Sequence, residues 1–185
     1  MNPAIAMPDA PRKGRGRLQL LLIDPKRVEL APYAKLPHVI GQQVLCEAPD
    51  ALTSLQQLID VMDQREATLA SLGARDVDDP RAAGQGWARI VVVVEELADL
   101  ILQSGAIEEP LVRLAQKARA SGIHLVLATQ RPDAQTFSGL LRSNIPSRIA
   151  FAVSSQVDSR TILDGAGAEK LLGQGDMLFM PDRKS

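Results

Sequence analysis

The chain of 185 residues carries one cysteine, Cys46, so it forms no internal disulfide and no cysteine-based zinc cluster. That suits a reducing compartment. Its two histidines, His38 and His124, lie far apart in sequence and read as structural residues rather than as a metal pair. Aromatic residues make up only 3% of the chain, which argues against a base-stacking platform for single strands. No apolar run approaches the roughly 20 residues needed to cross a bilayer, and the first 20 residues lack the long apolar core of a signal peptide. Lys and Arg number 21 against 22 Asp and Glu, a net charge of −1. Any binding to nucleic acid must therefore come from local clusters rather than from bulk charge. The expectation is a cytoplasmic, globular chain with no direct membrane contact, long enough for one ordinary domain.

What is present is an alternation of short apolar runs and amphipathic stretches, the pattern of a parallel sheet covered by helices. Residues 1–17, rich in Pro, Gly, Lys and Arg, read as a flexible tail or an artificial junction, and residues 18–182 as the folded part. Arg12, Lys13, Arg15 and Arg17 in that tail read as solvated side chains. "LQLLLID" (18–24) reads as a buried strand stopped by Pro25. A helix is expected near 50–72, with Leu52, Leu55, Leu58, Ile59, Met62, Leu69 and Leu72 at three-to-four spacing and Gly73 ending it. Residues 74–86 have the composition of a mobile surface loop. "ARIVVVV" (88–94) is a strand without alternation, which implies burial on both faces. A helix over 109–121 turns Leu111, Leu114, Ala115 and Ala118 inward. Strands follow at 123–129, 147–153 and 176–180, and short helices near 136–142, 158–163 and 167–172. Five strands, most of them joined by helical crossovers, make an open α/β sheet.

In such sheets ligands sit at the carboxyl ends of the strands. Asp24, Glu95, Glu96, Thr129 and Gln130 all follow strand ends and are expected on one edge. An apolar strand running into two adjacent acids has the form of a Walker B element. There one acid holds a hydrated Mg²⁺ and the next polarises the water that attacks a γ-phosphate. A solvated turn opening a helix is the alternative. Gln130, in "ATQRP", has an amide able to donate to a phosphate oxygen.

"LLIDPKRVEL", "VVVVEELADLI", "LVRLAQKARASGIHLVLATQRPD", "NIPSRIAFAVSSQVDSRTILD" and "GAEKLLGQGDML" occur in this order. Together they resemble the motor domain of the FtsK/SpoIIIE family of double-stranded DNA translocases over residues 20–180. The resemblance implies a RecA-like P-loop NTPase core, use of ATP and Mg²⁺, a hexameric ring, and pumping of duplex DNA in chromosome partition at cell division. Full-length relatives are often anchored in the inner membrane by a separate domain. By the same resemblance Glu96 matches the catalytic glutamate, and Glu95 stands where the family has the aspartate that holds Mg²⁺ through water. Gln130 matches the phosphate sensor, and Arg119 the arginine that reaches a neighbouring subunit's γ-phosphate. Arg131 falls in the first pore loop. Arg160 matches a phosphate-contacting residue, and Gln156 stands where the family often has lysine. Gly173 and Gly175 resemble the loop that closes near the nucleotide.

Two departures qualify that picture. No G-x-x-x-x-G-K-[ST] pattern occurs in the sequence; "GRGRLQL" and "GAGAEKL" lack its spacing, and Lys170 stands in the wrong context. Without that loop the β- and γ-phosphates lose their main anchor. The core is thus expected to lack the P-loop strand and helix, and this chain alone is expected not to hydrolyse ATP. Second, Glu95 is one methylene longer than aspartate, a displacement of about 1.5 Å where misplacement by about 1 Å costs about 100-fold. Three functional readings stay open: part of an active DNA translocase motor, a degenerate non-catalytic module that assembles with partner motor domains, or a conjugation- or secretion-type motor ATPase.

Overall fold

A computed structural model describes residues 18–133 and 137–182, so the tail at 1–17 and the start of the helix expected at 136–142 lie outside the described residues. The chain divides into two compact units, one through Thr129 and one from Gln130 onward.

The first unit is built on four parallel strands: β1 (Leu18–Ile23), β2 (Val39–Leu45), β3 (Arg89–Val94) and β4 (Ile123–Leu127), in the order β2-β1-β3-β4. The two inner strands, β1 and β3, carry the apolar runs anticipated from sequence. Leu21, Ile23, Val92 and Val94 are fully or almost fully buried. The strand β2 departs from the expectation. Its "VIGQQVL" is broken by exposed Gly41, Gln42 and Gln43, so the apolar pattern does not read as a strand. Gly41 and Gln42 take positive φ, 69° and 53°, and the pairing shifts between Leu20↔Val39 and Leu22↔Val44. This is the signature of a bulge.

Helix α1 (Ala48–Leu72) buries Leu55, Leu58, Ile59, Met62 and Leu69, the three-to-four stripe expected of it. Gly73, in the left-handed region, ends it, and Ala74 N–H reaches back to the Leu69 carbonyl. Helices α2 (Leu97–Gln103) and α3 (Glu108–Lys117) complete the layer, and α1 packs against both. Buried Arg65 fastens α1 to the sheet. Its Nη1 donates to the Ala88 carbonyl (3.0 Å) and the Ser121 carbonyl (2.8 Å), the residues that lead into β3 and β4, and its guanidinium lies 5.5 Å from the Trp87 ring centre. Residues 74–86 contain a 3-10 turn (Pro80–Gln85) capped by Asp79, which Arg81 grips through two side-chain nitrogens.

α3 stops at Lys117, four residues short of the expected limit, because the chain must turn into β4. Gly122 makes that turn at φ +72°, and a Cβ there would lie 2.9 Å from Val77 Cγ2. Glycine is the residue type that accommodates both that backbone and that close approach.

The second unit holds α4 (Gly139–Asn144), β5 (Arg148–Phe151), α5 (Gln156–Leu163) and β6 (Met177–Met180). The two strands expected to extend the parallel sheet instead pair with each other, antiparallel, with Ile149 opposite Phe179. Ile149, Phe151, Met177 and Phe179 are exposed along one face, while Ala150 is buried on the other. Alternation of this kind belongs to a sheet covered on one side. Ser155 caps α5, accepting from Asp158 N–H and donating to its carboxylate. Arg148 binds the Ile145, Ile162 and Arg142 carbonyls and the Asp164 carboxylate.

Replacing Gly122 with Ala forces both a left-handed L-residue, about 1–2 kcal/mol, and a clash with Val77. Urea denaturation followed through Trp87, the single tryptophan, is expected to show a loss of about 2 kcal/mol, partly recovered by Val77→Ala in the same background. Wild-type stability in G122A would contradict the account of this turn.

Candidate active site

The register of the parallel strands decides which residues meet. Ile23 pairs with Val94, and Val94 with Leu127, so the residues after them leave the sheet at one level. Backbone hydrogen bonds continue one step further: Asp24 N–H to the Leu45 carbonyl, Glu95 N–H to Ile23, and Ala128 N–H to Val94. Asp24, Glu95, Glu96 and Thr129 therefore share the carboxyl edge of β1, β3 and β4.

Glu96 is completely buried, at 0% exposure. It caps α2 with φ 52° and ψ 61°, a left-handed conformation uncommon for a residue with a side chain. Thr129 Oγ1 donates to one of its carboxylate oxygens at 2.6 Å, and Lys26 Nζ to the other at 3.2 Å. Lys26 also approaches Asp99 at 3.5 Å. A charge so buried persists only with partners of this kind. The hydrogen bond to Glu96 raises the Lys26 ammonium above its ordinary value, partly opposed by desolvation.

Asp24 is also wholly buried, and its carboxylate is spent on backbone. One oxygen accepts from Lys26 and Arg27 N–H and the other from Val28 and Leu30 N–H, each at 3.0 Å. It therefore builds the loop from which Lys26 projects and is not available for chemistry. Glu95 is half-buried. Burial pushes its carboxyl above the usual range, and the carboxylates of Asp24, Glu96 and Glu29 add to this while Lys26 opposes it. A convergence of acids that disfavours ionisation is relieved by a cation. Among the described residues no group of three or more His, Cys, Asp or Glu is placed to hold a metal by itself. The donor set fits Mg²⁺, which keeps most of its waters and takes one or two carboxylates with substrate phosphates.

The other expected residues fall elsewhere. Arg119 is exposed in the turn between α3 and β4, at the amino end of the strand whose carboxyl end carries Thr129. It does not join Glu96 within one subunit. Gln130 and Arg131, both exposed, open the second unit directly after Thr129. Gln156 and Arg160 are exposed and one turn apart on α5. The acids nearest Arg160 have other partners: Asp158 accepts from Ser154 and Ser155, and Asp164 binds Arg148. Gly173 and Gly175 form the turn before β6 with φ 80° and 91°. Sequence reading passed over Lys26 and left Thr129 unassigned; the signal available for Lys26 was its place two residues past a strand-ending Asp.

The model of the FtsK/SpoIIIE family matches residues 10–134. The chain belongs to the FtsK/SpoIIIE family. It is 50% identical over 170 residues to the DNA translocase SftA of Bacillus subtilis (strain 168), a match covering 88% of this chain and 18% of that protein. It is 48% identical over 178 residues to the DNA translocase FtsK of Tropheryma whipplei (strain TW08/27), covering 89% and 24% respectively. The chain thus spans about a fifth of the length of these FtsK/SpoIIIE relatives. Among solved structures, the pCW3 conjugation coupling protein TcpA with ATPγS superposes with a TM-score of 0.79 at 26% identity, over 90% of this chain and 50% of that one. The type VII secretion ATPase EccC of Thermomonospora curvata, at 20% identity and a TM-score of 0.68, shares the fold. No helix among the described residues is long and apolar enough to cross a membrane.

Because folded Glu95 holds its proton more tightly than the unfolded chain does, its ionised form opposes folding. That penalty is absent below the ordinary carboxylate range and complete above the raised value. Glu95→Gln is therefore expected to raise the denaturation midpoint at neutral pH and to give no gain at about pH 4. An equal gain at both pH values would contradict the electrostatic cause.

Proposed function

We propose that this chain supplies the water-activating part of an ATP-driven motor that translocates double-stranded DNA. The observation that carries the reading is the buried Glu96 carboxylate, fixed between Thr129 and Lys26 at the tip of β3. In this role Glu96 accepts a proton from the water that attacks the γ-phosphate. Mg²⁺ bound with ATP supplies charge neutralisation for the phosphates, and Glu95 is the residue that would hold it, through water. Gln130 senses the phosphate. Arg119, far along β4 from the acids, serves the site of a neighbouring subunit in a ring, where a permanently charged planar group stabilises transferred charge. By the family resemblance Gly173 and Gly175 belong to the nucleotide loop, their positive φ allowing its turn.

DNA is gripped through its backbone by Arg131 and Arg160, with Gln156 alongside. A hexamer repeats these contacts and needs no net positive charge on the chain. The names of these relatives, DNA translocases, favour movement of DNA over a secretion role, although the fold alone serves both.

By itself the chain turns over no ATP, because the phosphates lack a P-loop. Joined upstream to a P-loop strand and helix of the family, it is expected to hydrolyse ATP in a DNA-stimulated manner. Glu96→Gln should reduce that rate by about 100-fold or more while leaving assembly intact. Hydrolysis unchanged in E96Q would remove Glu96 as the water-activating residue, and a folded hexamer without activity would instead support a non-catalytic assembly module.

A further inference from the structure

We propose that Lys26 is the positioning residue for Glu96. This rests on the reading of Glu96 as the acid that receives the water's proton. Thr129 donates to one oxygen of the Glu96 carboxylate, and a single hydrogen bond does not by itself fix the plane of a carboxylate. Lys26 approaches the second oxygen from the neighbouring strand, so β1 and β4 grip the carboxylate from either side of β3. The plane of the carboxylate, and with it the lone pair offered to a water, is then fixed.

The lysine is itself placed before it reaches Glu96. Pro25 restricts the backbone that precedes it, and its own N–H donates to buried Asp24 at 3.0 Å. The same Asp24 binds Arg27, Val28 and Leu30 N–H, so the loop has little freedom to carry the lysine away. At the far end the ammonium also meets Asp99 in the first turn of α2 at 3.5 Å. Asp99 thus anchors the lysine from the helix that Glu96 caps. Lys26 is partly exposed, with 42% of its side chain accessible, whereas the Glu96 side chain is buried within the chain. The lysine is therefore the solvent-facing member of the pair, and its substitution opens no cavity in the core.

The test uses Lys26→Met, which keeps the aliphatic stem, Lys26→Arg, which keeps the charge, and Asp99→Asn, which removes only the second anchor. In the 185-residue chain labelled with ¹³C at glutamate carboxyls, the Glu96 resonance is identified by its loss in E96Q. At one fixed pH it is expected to move in K26M, to move less in D99N, and to lie near the wild-type position in K26R. In the hydrolysing form joined to a P-loop segment, K26M is expected to lower kcat by about tenfold or more with KM for ATP little changed, and K26R to recover most of it. An unmoved Glu96 resonance in K26M, or wild-type kcat in K26M while E96Q is dead, overturns the proposal. Full activity in E96Q instead removes the reading of Glu96 as the proton acceptor. The two failures are therefore separable.

Discussion

The candidate site depends on one buried charge. Glu96 sits at the end of an inner strand, in a left-handed backbone, fully buried within the chain. Leaving a carboxylate there unpartnered costs several kcal/mol, and the surrounding structure is arranged to prevent that. The parallel register of β1, β3 and β4 brings Lys26 and Thr129 to the two oxygens. The order β2-β1-β3-β4 matters for the same reason: it puts a donor-bearing strand end on each side of the acid. A slip of one residue between β3 and β4 would turn Thr129 away from Glu96.

Neighbouring acids divide the labour by environment. Asp24 and Glu96 are equally buried, yet Asp24 is saturated by four backbone N–H groups and is structural. Glu96 instead receives side-chain donors, Thr129 and Lys26. Glu95, half-buried among like charges, favours its neutral form and is the member that a bound cation would relieve. Three carboxylates within one strand-end cluster thus have three distinct roles open to them. At the other end of the sheet, Arg65 and the Gly122 turn fix where β3 and β4 begin, and so determine where they finish.

Much of this was legible in the sequence, and the reasons are specific. The run Ile90–Val94 read as a buried strand, with the two glutamates after it as a Walker B pair or a solvated turn, and α1 announced itself by its leucine spacing and Gly73. β2 was not legible, because a bulge at Gly41 and Gln42 put polar residues in the middle of a strand. The pairing of β5 with β6 was missed because short apolar runs do not state their partners. Lys26 was missed because its role comes from a contact 70 residues away. Arg119 was read by resemblance alone, and it lies at the opposite end of β4 from the acids.

As a member of the FtsK/SpoIIIE family, the chain combines an acidic strand-end cluster with exposed arginines at Arg131 and Arg160 in its second unit. The central claim is that Glu96 and Thr129 are bound to each other across the β3–β4 edge. A double-mutant cycle on folding stability with Glu96→Gln, Thr129→Val and the double variant measures that bond directly. The account predicts a coupling of about 1 kcal/mol or more. Additivity to within about 0.3 kcal/mol would contradict it.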